Sequence, residues 1–304
     1  FEAINRSGLP VTLNNLSVQP GLFDTVYAYG LEPNIDFVAD LRVKIRSDAP
    51  FTAPYWLGKS STNGMYAVEN QQLRGRPETP RYAKVRWSFT VNGIPLDYET
   101  DVAHKTSEPD FGEVWRPFEV LPPVFVEFTE PSYIFTPGKH IVTVRAKAGR
   151  DNVEGIFYLK CPEEWLPTNS RVRSLNLKKK GQEEEFTFEL NINSSGPREF
   201  MLSAGVDMGG SPTDESAAKN DRDYSMRLVT IKYDHIPQQS ILLPSAVPAA
   251  RVDLQVKAKN VGYYMGAGDD VPIALRQMGC TVTLLEDKDM EASKLAKYDA
   301  IVVG

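Results

Sequence analysis

Residues 36–46, DFVADLRVKIR, change polarity at nearly every step. Phe37, Ala39, Leu41, Val43 and Ile45 fall on one side, and Asp36, Asp40, Arg42, Lys44 and Arg46 on the other, with Val38 the exception. A period of two describes a strand with one wet face, because successive side chains of an extended chain point to opposite sides. The pattern returns in AKVRWSFTVNG, with Val85, Trp87, Phe89 and Val91 inward and an Asn-Gly pair where a two-residue hairpin turn belongs. VFVEF at 124–128 is another strand, fenced by Pro122, Pro123 and Pro131. No ten-residue stretch of this half carries a helical stripe, so an antiparallel β-sandwich is expected over 1–130.

A second series of strands begins near Tyr133. HIVTVRAKA, GIFYLKC, RSLNLKKK, EFTFELNI, EFMLSAGV and MRLVTIKYDHI are short, rich in β-formers and separated by Gly, Pro, Asn or Ser. This spacing predicts a second sandwich of immunoglobulin-like size over 131–243. Residues 209–223, GGSPTDESAAKNDRD, read as a polar loop or a solvated hairpin end, and PQQSILLPSAVPAAR as an extended linker.

The grammar then changes. NVGYYM is a strand, GAGDD a turn, and VPIALRQMG a short helix with Asp269 or Asp270 as N-cap, Pro272 in its first turn and Gly279 as its stop. CTVTLL, MEASKLAKY and DAIVVG add a strand, a helix and a strand. The order βαβαβ belongs to a parallel sheet, and a complete sheet of this class has more strands. The expectation is a mainly β chain in which 244–304 is a linker plus a truncated α/β segment.

Composition narrows the function. A chain of 304 residues holds two or three domains. Its net charge of −6 gives no general attraction to nucleic acid or to an anionic membrane. The one basic run, 178–180, is followed by Glu183, Glu184 and Glu185 and reads as a solvated hairpin end. Cys161 and Cys280 fall in segments assigned to different domains, so a disulfide is not expected, and no zinc-type spacing exists. No apolar run approaches the roughly 18 residues needed to span a bilayer. The sequence carries no signal peptide and opens at Phe1, which suggests an excised piece of a longer protein.

Gly266 and Gly268 supply Gly-x-Gly between a strand and a helix, and Glu286 ends the next strand eighteen residues after Gly268, as in dinucleotide-binding folds. Against a nucleotide, the third glycine position is Val271, and Asp269 and Asp270 stand where a pyrophosphate would dock. The plainer account is a tight turn and a helix cap. Gly266, Gly268, Asp269 and Asp270 remain a candidate turn for a neutral polar group such as a sugar hydroxyl.

Catalytic constellations are not found. His104, His140 and His235 have no partner at a ligand spacing, and Asp234 and His235, as strand neighbours, would face opposite ways. No Gly-x-Ser-x-Gly elbow occurs. Cys161 reads as a packed thiol, and Cys280, at the start of a strand, does not fit a nucleophile elbow. No catalytic residue, metal or cofactor is therefore assigned. PYWLGKSSTNGMY places Tyr55, Trp56 and Tyr66 around a polar loop, a candidate stacking platform for a sugar ring, although Tyr55 and Trp56 equally suit the plug of a sandwich core. Trp165 is expected between sheets.

Several segments, taken in order, resemble a known arrangement: APYWL, GMYAVENQQLRGRPETP, CPEEW, IKYDHIP, and VGYYMGAGDDVPIALRQMGCTVTLLEDKD with KLAKYDAIVVG. They look like the C-terminal half of large bacterial PIG-L (LmbE-like) deacetylases of the kind common in Bacteroidetes. In that family a zinc-dependent N-terminal domain removes acetyl groups from N-acetylglucosamine-type substrates. Sandwiches follow, the second of NEW type, and then a glutamine-amidotransferase-like, flavodoxin-like domain. The zinc signature is not in this chain and none of the three histidines sits in its context, so no catalytic residue is carried over.

The resemblance implies a middle piece of the parent, exported to the periplasm or beyond. It implies a non-catalytic accessory region, with the parent's catalytic domain and a glycan as partners. Two alternatives stay open, a stand-alone carbohydrate-binding module and a fragment of a nucleotide- or glutamine-dependent α/β enzyme.

Overall fold

The computed structural model describes residues 1–46, 48–59, 61–110, 112–166, 170–193, 197–209, 223–233, 235–266 and 268–304. The fold is mainly β and divides into two compact units, Phe1–Pro122 with Leu228–Leu242, and Pro123–Arg227 with Leu243–Gly304.

The first unit opens with β1 (Glu2–Ile4), β2 (Val11–Gln19), β3 (Phe23–Leu31), β4 (Asp36–Val38), β5 (Lys84–Val91), β6 (Ile94–Asp101), β7 (Ala103–Glu108) and β8 (Gly112–Pro117). Its main sheet runs β3-β2-β5-β6, while β1 pairs β4 and β7 pairs β8. The β5–β6 hairpin turns at Asn92 and Gly93, with φ of 48° and 81°, as the Asn-Gly pair predicts. In β2 the register shifts between Leu13 and Asn15, so Asn14 is an extra residue relative to β5. The shift carries the inward row from Leu13 to Leu16 and Val18, all buried with Leu31, Val85 and Trp87.

Of the strand expected over 36–46, only Asp36–Val38 is a strand. β1 supplies partners back to Phe1, whose amino group and carbonyl both bond Ala39, at 3.0 and 2.9 Å. Beyond that point the alternation survives as burial alone: Leu41 and Val43 pack on the core, and Asp40, Arg42 and Lys44 stay exposed. This segment and the β1–β4 pair cover the sheet in place of a full second layer.

The second unit contains β9 (Val124–Phe128), β10 (Tyr133–Phe135), β11 (Gly138–Ala148), β12 (Val153–Lys160), β13 (Val172–Leu177), β14 (Glu183–Ile192), β15 (Glu199–Asp207) and β16 (Asp223–Tyr224). After β17 (Met226–Tyr233) and β18 (Ile236–Pro244) comes β19 (Ala246–Arg251). One sheet runs β10-β19-β15-β12-β13, with β16 on β15, and the other runs β14-β11-β9. Inward residues of both sheets form one core that includes Val126, Val144, Phe157, Trp165, Phe188, Leu202 and Ala249. Phe157 stacks on Phe186 at 4.3 Å, and Trp165 meets Phe135 and Phe200 edge-on at 6.1 and 4.7 Å, between the sheets as expected. The outer face of β11 and β14 is a ladder of ion pairs, with Lys139–Glu189 at 2.7 Å, Arg145–Glu185 at 2.8 Å and Lys147–Glu183 at 2.8 Å.

Four boundaries differ from the sequence reading. β9, expected in the first domain, bonds β11 in the second unit. Of MRLVTIKYDHI, Met226–Tyr233 is β17, which among the described residues pairs β18, and Leu228–Leu242 belongs to the first unit. The expected linker PQQSILLPSAVPAAR is β18 and β19. Pro248 is tolerated because β10 pairs β19 only from Ala249 onward: it lies opposite Met201 of β15, before the pairing with β10 begins. The basic run 178–180 joins strands of opposite sheets, so it is a corner rather than a hairpin end.

The C-terminal part follows the expected order: β20 (Asn260–Tyr264), α1 (Val271–Gln277), β21 (Thr281–Leu285), α2 (Ala292–Leu295) and β22 (Ala300–Val303). The sheet order is β21-β20-β22, all parallel. Leu243–Gly304 falls within the second unit, and α1 packs on β10.

The core and the ladder predict opposite sensitivities. Phe157→Ala should lower unfolding free energy by about 3–5 kcal/mol, since it empties the centre of the sandwich. Ile141→Ala, at a position 65% exposed within the ladder, should change it by no more than about 0.5 kcal/mol. Urea unfolding of both variants measures the contrast.

Candidate functional site

The glycine turn after β20 is built by its own chain. A Cβ on Gly266 would lie 2.1 Å from the carbonyl oxygen of Gly304, so only glycine lets the chain after β22 come this close. Gly268 has φ of 84°, the left-handed region that glycine enters without strain. Asp269, not Asp270, provides the side-chain acceptor at the helix start: its Oδ1 takes the N–H of Val271 at 3.0 Å and the hydroxyl of Tyr263 at 2.6 Å. Asp270 stands at the N-cap without a side-chain cap bond. The Asp269 hydrogen bond, with burial second, pushes the Tyr263 phenol up to about 12. A Cβ on Gly304 would likewise lie against the Tyr263 hydroxyl and Asp269 Oδ2, so this position too is held to glycine by close approach.

The aromatic trio is not assembled into one platform. Tyr55 and Trp56 sit on a short 3-10 turn, Tyr55–Leu57, and both are half-buried. The Tyr55 N–H donates to Thr79 Oγ1 at 2.9 Å, and its hydroxyl to the carbonyl of Arg76 at 3.0 Å. The two rings meet at 4.9 Å and 90°, edge to face, so they share no flat surface for a pyranose. Tyr66 follows a separate turn closed between Thr62 and Met65 and is 60% exposed.

Among the exposed aromatics that the sequence reading did not single out, Trp115 is the one indole of the described residues. Trp115 on β8 is 61% exposed, with the Lys105 ammonium 5.4 Å from its ring centre. Lys105 is also paired with Glu113 at 2.9 Å. The signal was the outward parity of Glu113, Trp115 and Pro117 opposite Ser107, Lys105 and Ala103.

The histidines are dispersed. His104 is exposed on β7, and His140 on β11 places Nε2 2.7 Å from the carbonyl of Thr136. His235 lies in the turn between β17 and β18, not on a strand, with its ring tilted on Tyr233; Asp234 lies outside the described residues. Such a set does not fit a zinc site, and no step is derived through one. Among the described residues no group of three or more His, Cys, Asp or Glu is placed to hold a metal ion.

Both cysteines are free. Burial pushes the Cys161 thiol up, away from nucleophile character, and buried Cys280 donates to the carbonyl of Ala258 at 3.4 Å. Tyr158 crosses Gly205, where a Cβ would clash with its hydroxyl, and donates to Asp223. Burial and that carboxylate raise its phenol. The expected loop 209–223 falls almost wholly outside the described residues. Among those described, no helix is long and apolar enough to cross a membrane. No family model and no curated protein matches the chain.

The turn gives a pH prediction. The neutral Tyr263 phenol is favoured in the fold, so its contribution is complete below the ordinary tyrosine value of about 10 and is lost as pH climbs through about 12. Asp269→Ala should bring this ionisation down toward the ordinary value and flatten the alkaline loss of thermal stability. Tyrosinate difference absorbance between variant and parent, with melting curves at rising pH, reads both effects.

Proposed function

We propose that this chain is a non-catalytic accessory region of a multidomain glycan deacetylase, acting on N-acetylglucosamine-type substrate through a catalytic domain elsewhere in the parent. It serves as spacer and scaffold, and helps to orient or hold the glycan. The observation that carries this reading is how the second unit uses its side chains. Its aromatics, Phe135, Phe157, Trp165, Phe186 and Phe188, fill the space between two sheets. The charges of β11 and β14 are paired across the strands. A sandwich built in this way holds its shape under load, which a spacer requires. The segments from APYWL to YDAIVVG, in their family-like order, supply the link to PIG-L-type proteins. On this reading the chain needs no cofactor of its own, works with the parent's catalytic domain, and operates in the periplasm or outside the cell.

A second reading, a carbohydrate-binding module, is favoured by rings left in solvent, Tyr66 and Trp115, with Trp56 half-buried. Perpendicular Tyr55 and Trp56 give it less support than a flat platform would.

Incubation of the chain with N-acetylglucosamine oligomers and added zinc should release no acetate; zinc-dependent release in proportion to protein would overturn the scaffold reading. Glycan-array binding tests the second: a signal lost in Trp56→Ala or Trp115→Ala, with the melting temperature unchanged, would support it.

A further inference from the structure

The last residue of α1 makes a contact that its neighbours do not. Gln277 Oε1 accepts the N–H of Ile134 at 2.7 Å, and Gln277 Nε2 donates to the carbonyl of Ser132 at 2.9 Å. These two backbone groups flank Tyr133 and point to the same edge of β10. Among the described residues β10 is an edge strand, with β19 as its one ladder partner. A single carboxamide thus occupies the place of a missing strand, satisfying a donor and an acceptor that an edge leaves open.

We propose that Gln277 is a strap that locks the α/β segment onto the sandwich in one register, so that the two move as one body. The chain offers little else to hold them in line. The connector 253–259 has no regular structure and is mostly exposed. Proximity of α1 to β10 does not by itself fix a register, whereas the carboxamide needs one donor and one acceptor in a fixed order. Backbone groups on one edge of a strand repeat every second residue. A slide by one residue would therefore set Gln277 against groups that face β19. The strap stands whether or not the chain serves a deacetylase, since it concerns the coupling of two parts of one unit.

The test uses the full chain with Gln277→Ala and Gln277→Glu. In the parent, the Ile134 amide should be protected from hydrogen exchange, and amides of β20 and β11 should report one rotational correlation time. Gln277→Ala should speed Ile134 exchange by about tenfold or more relative to Val144, the loss of one structural hydrogen bond. It should also speed protease cleavage within 253–259. Gln277→Glu removes the donor and sets a carboxylate oxygen against the Ser132 carbonyl, so at neutral pH it should behave as the alanine variant. On acidification the protonated carboxyl again has a donor, so protection of Ile134, corrected for intrinsic exchange, should return. The strap is refuted by unchanged Ile134 exchange and unchanged cleavage in Gln277→Ala. Should that variant unfold, a Gln277→Glu chain whose Ile134 protection ignores pH refutes it equally.

Discussion

Alternate residues of two facing sheets, buried against each other, are the constraint on which the second unit depends. Phe157 of one sheet lies on Phe186 of the other, and Trp165 closes the space beside Phe135 and Phe200. Once the inward positions are apolar, the outward ones are free to carry charge. Exposed pairs such as Arg145–Glu185 add little stability one by one. Their value is in register: a slip of two residues would put Arg145 opposite Thr187, and a slip of one would turn the whole apolar row to water.

Much of this was legible from the sequence. β5 with its Asn-Gly turn stands where a period of two placed it, and β9 and β11 to β15 stand where short runs of β-formers fenced by turn residues did. What was misread shares a cause, which is that pairing partners are tertiary facts. The apolar row of 39–46 is real, yet a ladder needs a neighbour, and β1 reaches only to Ala39. The segment 237–251 looked like linker because of Pro237, Pro244 and Pro248, and nothing local tells that β19 lacks a partner on one side where Pro248 falls. β2 was passed over because its bulge breaks the phase of VTLNNLSV.

The candidate sites divide in the same way. The glycine turn was readable as a turn, and one of Asp269 and Asp270 as its cap, from residue type and order; that Asp270 holds the N-cap position while Asp269 makes the side-chain bond was not. The reason for Gly266 was not, since it depends on where the end of β22 arrives. Tyr55 and Trp56 were visible as neighbours, but the right angle between their rings belongs to the 3-10 turn that carries them. Trp115 was missed because a lone indole between Val114 and Arg116 carries no spacing signal until β7 is laid beside it.

The bulge in β2 has a consequence for how the first unit tolerates change. Leu13 and Leu16 are both fully buried although three positions separate them, because Asn14 takes up one step of the alternation. Deleting that residue would leave Leu13, Asn15, Leu16, Ser17 and Val18 in strict alternation against β5, with the three apolar residues still on the inward face. Removing Ser17 instead would turn Val18 to the face opposite Leu16, because the alternation after the bulge is regular. The bulge is thus the one place where β2 can shorten by a residue and keep its apolar row, whereas elsewhere along the strand a single deletion acts as a frameshift within the sheet.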